Sequence, residues 1–562
     1  MSKEECKYKD QQLLMYLLSA AELYQTPKVE ECVLEGSNIP TYHGTACLTG
    51  HHLILYSQDG ENKEYWILHK NVDSVEKRYS QDRNALIFKC KNFKKYQLTI
   101  PSFEDANNIC SSVEALSCLG KPNLQYPYFY RPTFKFEEDG FDLFHVENEF
   151  ADLCKKSDQW RISSINLHFK ACKSYPSQVI VPKLIDDKAI EKSAEFRQDG
   201  RFPILSYYHT NRRVVMRCGQ PMTGTSNKRC KEDEKMINII LGPAHRGYIL
   251  DLRTSQSATN ARSKGGGFET EFNYPQWRKI HHGLQKHKVQ QESLIRLVEA
   301  CHDQSTNSEK WQSKLESCNW LSLVKETLSA ACLVAQCVDK EGASVLVHGS
   351  HGVDCTLQVT ALTQVLLDPL CRTMRGFLCL IDREWIKAGH PFASRCFHSA
   401  LSNQKTQTEG PSFTVFLDCV FQLQQQFPLA FEFNSRFLCE LSRHAYASQF
   451  GTFLCNSEME RRQHKVQTKT VSLWSYFLSE EVLPLHLNII YESCNGVIWP
   501  SVAPHSLYLW DGLFLPDIDP EPTVQKNIKE TMLRMEQLQL EICSLNNEIS
   551  ILKQQQARPD QQ

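Results

Sequence analysis

The sequence predicts a multidomain protein built from a small antiparallel β-barrel, a larger α/β domain and a C-terminal α-helical coiled coil. Three observations predict this order. Short strands rich in aromatic and branched residues occupy the first hundred residues, strands alternate with helices from about residue 140, and a heptad repeat precedes the C-terminus. A chain of 562 residues also exceeds what one hydrophobic core normally serves.

Composition narrows the class of protein. Hydrophobic residues make up 41% and charged residues 23% of the chain, as in globular proteins, and the net charge is −2. No global field therefore attracts nucleic acid, and we expect no nucleic-acid partner. The 23 cysteines include no C-x-x-C pair, so we expect no zinc site, no other metal and no cofactor. The polar N-terminus and the lack of an apolar run of ~18 residues predict a cytoplasmic or peripheral protein.

The first domain is expected over residues 22–118. Its alternating strands are predicted at 46–56, 63–68, 85–90 and 96–100. Residues 103–118 place apolar side chains at helical spacing and should close the barrel. A basic cluster on these strands is either a lipid-binding patch or a solvated strand edge; it comprises Lys89, Lys91, Lys94 and Lys95.

The second domain is expected over residues 140–516, where apolar strands alternate with longer helices. Strands are predicted at 247–252 and 343–347. Helices are predicted at 320–337 and 356–367.

Residues 520–556 carry apolar side chains with alternating spacings of four and three, which predicts a two-stranded coiled coil. The alternative is a lone amphipathic helix that packs on its own domain, but prolines before this segment and a narrow apolar seam favour the coil. The predicted seam that binds a partner chain comprises Val524, Ile528, Met535, Leu538, Ile542, Leu545, Ile549 and Leu552, with Thr531 in the same register.

A glycine-containing loop separates the strand at 343–347 from the helix that follows. It comprises His348, Gly349, Ser350, His351, Gly352, Val353, Asp354 and Cys355. A loop of this kind at a helix N-terminus can cradle an anion with backbone N–H groups, although many α/β loops share the pattern.

This loop resembles the signature loop of the myotubularin family, whose active members read His-Cys-Ser-Asp-Gly-Trp-Asp-Arg-Thr. Further segments are similar to that family; they include 201–203, 219–221, 229–234, 264–269, 375–377, 389–392, 431–434, 450–453 and 472–475. The resemblance implies a PH-GRAM domain, a cysteine-phosphatase-like domain and a coiled coil, in the order already predicted.

The resemblance also identifies departures at the reactive positions. Gly349 stands at the position of the family's nucleophilic Cys, and Cys355 at that of its phosphate-binding Arg. His351 stands at the position of the acidic Asp and could still donate a proton. Cys455 and Arg461 fit the spacing C-x5-R, but their loop lacks glycine and the match is interpreted as accidental. We therefore expect no catalytic residue and a member of the inactive branch.

Inactive members of this family are expected to pair through the coil with active relatives resembling myotubularin-related proteins 6, 7 and 8. They would raise the activity, stability or targeting of these partners toward phosphatidylinositol 3-phosphate and 3,5-bisphosphate. Endosomal, perinuclear or endoplasmic reticulum membranes are the expected sites of peripheral association. The heptads leave a homodimer open. Two alternatives remain: a phosphoinositide-binding scaffold that works without a phosphatase partner, and a residual active phosphatase.

Overall fold

The computed structural model describes residues 26–36, 39–57, 64–80, 83–241, 246–303, 308–402, 404 and 408–515. The chain divides into two compact units, residues 1–515 and 516–562, and the described residues belong to the first. The predicted coiled coil and every residue of its seam lie outside the described residues.

The first part of the chain forms a curled antiparallel sheet of seven strands. In chain order they are β1 (Lys28–Gly36), β2 (Tyr42–Leu48), β3 (His52–Ser57), β4 (Glu64–Leu68), β5 (Val72–Tyr79), β6 (Asn84–Cys90) and β7 (Lys95–Ile100). The spatial order β4-β3-β2-β1-β7-β6-β5 makes β4 and β5 the two edges. The expected small barrel is therefore a curled sheet whose edge strands do not pair among the described residues.

Helix α1 (Phe103–Ser117) closes this sheet as predicted. It begins at Ser102, whose side chain accepts a hydrogen bond from the backbone N–H of Asp105 at 3.3 Å and caps the helix. One face of the helix is buried against the sheet, and it comprises Ala106, Ile109, Cys110, Val113 and Leu116.

Two expectations for this region were wrong in detail. The apolar run 46–56 is not one strand, because the chain turns between β2 and β3 and the two strands pair with each other. The basic cluster is not uniformly solvated either. Lys91 is buried beside the ring of Phe397, whereas Lys89 pairs with Glu76 at 3.0 Å. Periodicity alone does not reveal that another part of the chain covers Lys91.

The second part contains a two-stranded and a five-stranded sheet. Its strands are β8 (Trp160–Ser163), β9 (Val179–Pro182), β10 (Ile204–Tyr208), β11 (Val214–Cys218), β12 (Gly247–Asp251), β13 (Trp277–His281) and β14 (Val345–His348). The larger sheet has the order β10-β11-β14-β12-β13, and β11, β14, β12 and β13 run parallel. The last strand in sequence is thus the central strand, which brings its C-terminal loop to the middle of one sheet edge.

Helices surround this sheet. Those before β14 are α2 (Val146–Cys154), α3 (Asp187–Phe196), α4 (Lys231–Asn238), α5 (Ser255–Ala261), α6 (His287–His302), α7 (Ser308–Ser317) and α8 (Trp320–Asp339). Those after it are α9 (Cys355–Leu367), α10 (Met374–Ile381), α11 (Phe392–Arg395), α12 (Ser412–Gln426), α13 (Ser435–Tyr446), α14 (Glu458–Gln463), α15 (Val466–Lys469), α16 (Leu473–Phe477), α17 (Leu483–His486) and α18 (Asp511–Phe514). A π-helical turn, Asp382–Ile386, continues α10.

Helix α8 is long and apolar enough to cross a bilayer by length and composition alone. More than half of its apolar window is buried within the protein, and Trp320, Val324 and Leu328 lie in the main core. These contacts are those of the core helix of a folded domain.

The curled sheet is attached to the second part by a buried carboxylate. Asp73 at the start of β5 accepts hydrogen bonds from the backbone N–H and the hydroxyl of Ser399, at 3.0 Å and 2.7 Å. It also accepts one from the backbone N–H of Leu401 at 3.1 Å, and His398 Nδ1 lies 3.2 Å away. The segment 398–401 is therefore held directly against the sheet.

Candidate functional site

The predicted loop leaves the central strand β14, whose residues Val345, Leu346 and Val347 are fully buried. The backbone N–H of Leu252 donates to His348 O at 2.9 Å, and that of Gln220 donates to Ser350 O at 3.1 Å. The loop is thus hydrogen-bonded to the segments that follow both neighbouring strands. Helix α9 begins directly after it, as expected for an anion cradle.

Gly352 fixes the turn within the loop. Its φ of 73° lies in the left-handed region, and a Cβ there would lie 2.5 Å from the carbonyl oxygen of Cys218. The buried Arg201 holds the same residue in place, because its Nη2 donates to Gly352 O at 2.8 Å. The Arg201 guanidinium also lies 4.3 Å from the ring centroid of Tyr175.

Asp354 anchors the end of the loop. Arg395 donates to both carboxylate oxygens, through Nε at 3.0 Å and Nη2 at 2.8 Å, and the hydroxyl of Ser412 lies 3.3 Å from Oδ1. Burial alone would raise the pKa of Asp354, but the hydrogen bonds and charge of Arg395 outweigh it and hold the pKa at about 2. His390 Nδ1 donates to Val353 O at 2.7 Å, and burial lowers the pKa of His390 to about 4.

A buried charge network supports the start of the loop. His348 Nε2 donates to Glu269 at 3.0 Å, and Arg197 donates to Glu269 at 2.6 Å. Arg197 also forms a bidentate pair with Asp233, at 2.9 Å and 2.6 Å. Burial opposes ionisation of Glu269, yet His348 and Arg197 hold its pKa well below the ordinary value. The shape of the loop thus depends on a paired and buried charge network.

The side chain of His351 lies at the exposed rim. Its Nδ1 is 2.6 Å from Asp199 Oδ2. The hydrogen bond with Asp199 raises the pKa of His351 and lowers that of Asp199. The pair places an ionisable group at the rim, and the prediction that His351 can donate a proton stays a prediction.

The space over position 349 is open. A Cβ built on Gly349 would meet only Thr356 Oγ1, at 3.4 Å, and φ at Gly349 is not in the left-handed region. Thr356 Oγ1 is buried and has no hydrogen-bond partner among the described residues. The loop therefore retains room for a side chain where glycine provides none.

Cys355 turns its thiol toward a neighbouring segment, where Sγ donates to Gln285 O at 3.4 Å. Burial raises the pKa of this thiol to about 12, so it is neutral at pH 7. The nearby guanidinium groups of Arg201 and Arg395 already bind Gly352 O and Asp354. These two arginine side chains form hydrogen bonds that maintain the shape of the loop.

The second sequence match, Cys455 and Arg461, has a structural use. Arg461 Nη1 donates to three backbone carbonyls, at 2.6 to 3.2 Å, and Cys455 follows in the same turn with a φ of 69°. Burial raises the pKa of Cys455 to about 11. This geometry agrees with interpretation of the C-x5-R spacing as accidental.

The sequence did not identify the residues that hold the loop. Arg201, His390 and Arg395 lie 151, 37 and 41 positions along the chain from the loop residues that they bind, and only the packing of the fold brings them to the loop. The family-like stretches 201–203 and 389–392 contain Arg201 and His390, and this was the one signal that pointed toward them; Arg395 lies outside every such stretch.

Comparisons with known proteins fit this architecture. A model of the myotubularin-like phosphatase domain matches residues 125–462, and a model of the MTMR6-9 GRAM domain matches residues 28–117. Myotubularin-related protein 9 of Homo sapiens is 54% identical over 496 residues, which cover 88% of this chain and 90% of the relative. Myotubularin-related protein 9 of Caenorhabditis elegans is 39% identical over 568 aligned positions. Phosphatidylinositol-3,5-bisphosphate 3-phosphatase MTMR6 of Homo sapiens is 34% identical, covering 95% of this chain and 87% of the relative.

Proposed function

Because the chain belongs to the myotubularin family, we propose that it is a catalytically inactive regulatory subunit of active myotubularin-related phosphatases. In this proposal it pairs with an active relative through residues 520–556 and increases the activity, stability or targeting of that relative. The complex acts in the cytoplasm and at the surface of endosomal, perinuclear or endoplasmic reticulum membranes.

The observation that carries the proposal is the contrast between a maintained loop and its reactive positions. Arg201, Arg395 and the network behind His348 hold the loop in shape. At position 349 there is no side chain to attack phosphorus, and the neutral thiol of Cys355 cannot replace a guanidinium in the transition state. Loss of a nucleophile costs several orders of magnitude in rate.

The names of two relatives support a substrate class for the partner phosphatase. MTMR6 of Homo sapiens and MTMR8 of Gallus gallus are each named a phosphatidylinositol-3,5-bisphosphate 3-phosphatase. They are 34% and 35% identical to this chain over most of its length. We propose that partners of this kind, resembling myotubularin-related proteins 6, 7 and 8, bind this chain and act on 3-phosphorylated inositides.

The central experiment purifies the full chain from cells and identifies the phosphatase that accompanies it. The matched pair of variants is Leu545→Glu, on the predicted seam, and Asn547→Glu, two positions away and off the seam. We expect Leu545→Glu to lose the phosphatase and Asn547→Glu to retain it. Equal recovery with both variants would contradict pairing through the seam.

A second measurement separates the proposal from a residual enzyme. The purified chain without a partner is assayed on phosphatidylinositol 3-phosphate and 3,5-bisphosphate, and then added to a purified active relative. We expect no turnover alone and a higher rate in the mixture. Turnover alone that disappears in Cys355→Ser would refute the proposal.

A deletion variant distinguishes the proposed regulatory subunit from the alternative of a membrane-binding scaffold. If the chain lacking residues 520–556 still binds active relatives and keeps its cellular effect, the coiled-coil mechanism is wrong. If it keeps membrane binding and its effect with no phosphatase bound, the scaffold alternative holds.

A further inference from the structure

A cavity of about 660 Å³ lies in the phosphatase-like part, and no residue of the signature loop (residues 348–355) lines it among the described residues. Its walls come from residues 141–149, from β9 and the segment before it, from the start of β10, from the π-helical turn and from residues 458–468. Its volume falls within the ~300–1,000 Å³ usual for sites that bind small organic molecules.

The inner end of this cavity is polar. Arg217 and Glu384, 3% and 0% exposed, pair through Arg217 Nε and Glu384 Oε2 at 3.1 Å. Arg217 Nη1 and Glu384 Oε1 are buried without a hydrogen-bond partner among the described residues, and the one cation near Glu384 Oε1 is Arg383, whose Nε lies 3.7 Å away. A buried donor and a buried acceptor without hydrogen bonds destabilise the structure. A hydroxyl or an amide, which both accepts and donates, would satisfy the two atoms together.

Between the inner end and the mouth, the walls are largely apolar. Phe144, Ile180, Ile204 and Ile386 are buried residues of the lining, and the half-buried Leu205 lies beside Ile204. An occupant with an apolar body would remove the remaining apolar surface from water.

The mouth carries a small surplus of positive charge. Three of its cations are paired: Arg462 with Glu458 at 2.5 Å, Arg383 with Glu149 at 2.8 Å and Lys387 with Asp382 at 3.5 Å. Arg461 donates only to backbone carbonyls, and the exposed Lys465 has no ion pair among the described residues. Glu147 is the one lining carboxylate left to oppose these two cations.

We propose that this cavity binds an amphiphilic organic anion. The ligand has an apolar body, a hydroxyl or amide that meets Arg217 and Glu384 at the inner end, and a carboxylate or phosphate near Arg461 and Lys465. The site is independent of the signature loop and of the predicted coil, so its failure leaves the proposed function untouched.

The cavity is connected to the loop indirectly, through Tyr175 and Arg201. The guanidinium of Arg217 lies 5.5 Å from the ring centroid of Tyr175, and that of Arg201 lies 4.3 Å from the same ring. Arg201 in turn binds Gly352 O. The same tyrosine ring therefore contacts one residue of the cavity wall and one residue that positions the loop.

Isothermal titration calorimetry on the full chain tests the site with four probes: ω-hydroxydecanoate, ω-hydroxydecyl phosphate, decanoate and decanol. We expect the first two to bind, and their order to identify the preferred anionic group. Decanoate lacks the hydroxyl and should bind about tenfold more weakly than ω-hydroxydecanoate. Decanol, which lacks the anion, should also bind more weakly. If no probe binds, the cavity holds water alone and the proposal is overturned.

Variants locate the binding. Leu205→Trp should fill the cavity and abolish binding, and Lys465→Gln should weaken binding of both anionic ω-hydroxy probes several-fold. Lys469→Gln, an exposed lysine four residues on that does not line the cavity, is the matched control and should bind normally. If Lys465→Gln and Leu205→Trp both bind as the unmodified chain does, the probes occupy another place and the assignment is wrong. Should Leu205→Trp fail to fold, the comparison of Lys465→Gln with Lys469→Gln decides alone.

Discussion

Replacement of Asp354 by Asn should measure how much stability the loop contributes to the fold. Asp354 is 14% exposed, accepts two hydrogen bonds from Arg395 and has its pKa held at about 2. The ordinary pKa of an aspartate side chain is 3.8. At about 1.36 kcal/mol for each pKa unit, the gap between these two pKa values corresponds to about 2 kcal/mol in favour of the folded state at pH 7. Asp354→Asn should therefore lower the free energy of unfolding by at least about 2 kcal/mol, since Arg395 also loses its partner.

The pH dependence has a defined sign. The pKa of Asp354 is lower in the folded than in the unfolded state, so its contribution is complete above the unfolded pKa. It is lost as the pH falls through the folded pKa. From these two pKa values, about half of this contribution to the free energy of unfolding should remain at pH 3. The difference between the unmodified chain and Asp354→Asn should thus be constant from pH 7 to pH 5 and shrink below pH 4.

The assay is urea unfolding followed by tryptophan fluorescence, which reports the buried tryptophans of the main core. Asp158→Asn is the matched control, because Asp158 is exposed and forms no ion pair among the described residues. We expect this control to unfold with the unmodified chain. The reasoning is refuted if Asp354→Asn is as stable as the control, or if its deficit does not shrink between pH 4 and pH 3.

Three further predictions follow from the site and the interface. Gly349→Cys should leave the melting temperature almost unchanged, because the added atoms meet open space. Gly352→Ala should lower the free energy of unfolding by about 1–3 kcal/mol, because its φ is left-handed and its Cβ would clash with a carbonyl oxygen. If Gly349→Cys were the more destabilising of the two, the described loop would be contradicted. Asp73→Ala should lower the free energy of unfolding by about 3 kcal/mol or more, because the hydrogen bonds from Ser399 are lost. It should also make the chain between the curled sheet and the phosphatase-like part easier to cleave in limited proteolysis. An unchanged digestion pattern would argue against this contact. Cys355 should react with iodoacetamide at pH 8 far more slowly than the exposed Cys494. Mass spectrometry of the alkylated peptides measures the two rates. Equal rates would mean that the Cys355 thiol is not held neutral.

The sequence predicted those features that depend on neighbours along the chain. Helix α1 was expected at 103–118 and ends one residue earlier, and helix α8 was expected at 320–337 and continues to Asp339. Both carry long apolar stripes and lie between turn residues. The loop at 348–355 was located because a buried strand, glycines and a helix follow one another directly.

Features that depend on distant partners could not be predicted. Lys91 looked like one member of an exposed cluster, yet it is buried where residues 396–401 cover the sheet. The clamp of Arg395 on Asp354 joins positions 41 residues apart, and no periodicity reports such a pairing. The alternation of apolar residues over 46–56 likewise conceals the turn between β2 and β3, because both strands have their own buried face.

The short stretch 395–401 binds on two sides. At one end, Arg395 donates hydrogen bonds to Asp354 of the loop. At the other end, Ser399 and Leu401 donate hydrogen bonds to Asp73 of the curled sheet. If a change at one of these contacts alters the other, thermodynamic reciprocity requires the coupling to act in both directions. A lipid or protein that binds the curled sheet and shifts the stretch 395–401 would then also change the position of the loop. A change that rigidifies the loop would in turn stabilise the contact with the sheet. The stretch 395–401 therefore joins the loop to the curled sheet, and this structural role does not depend on whether the loop is reactive.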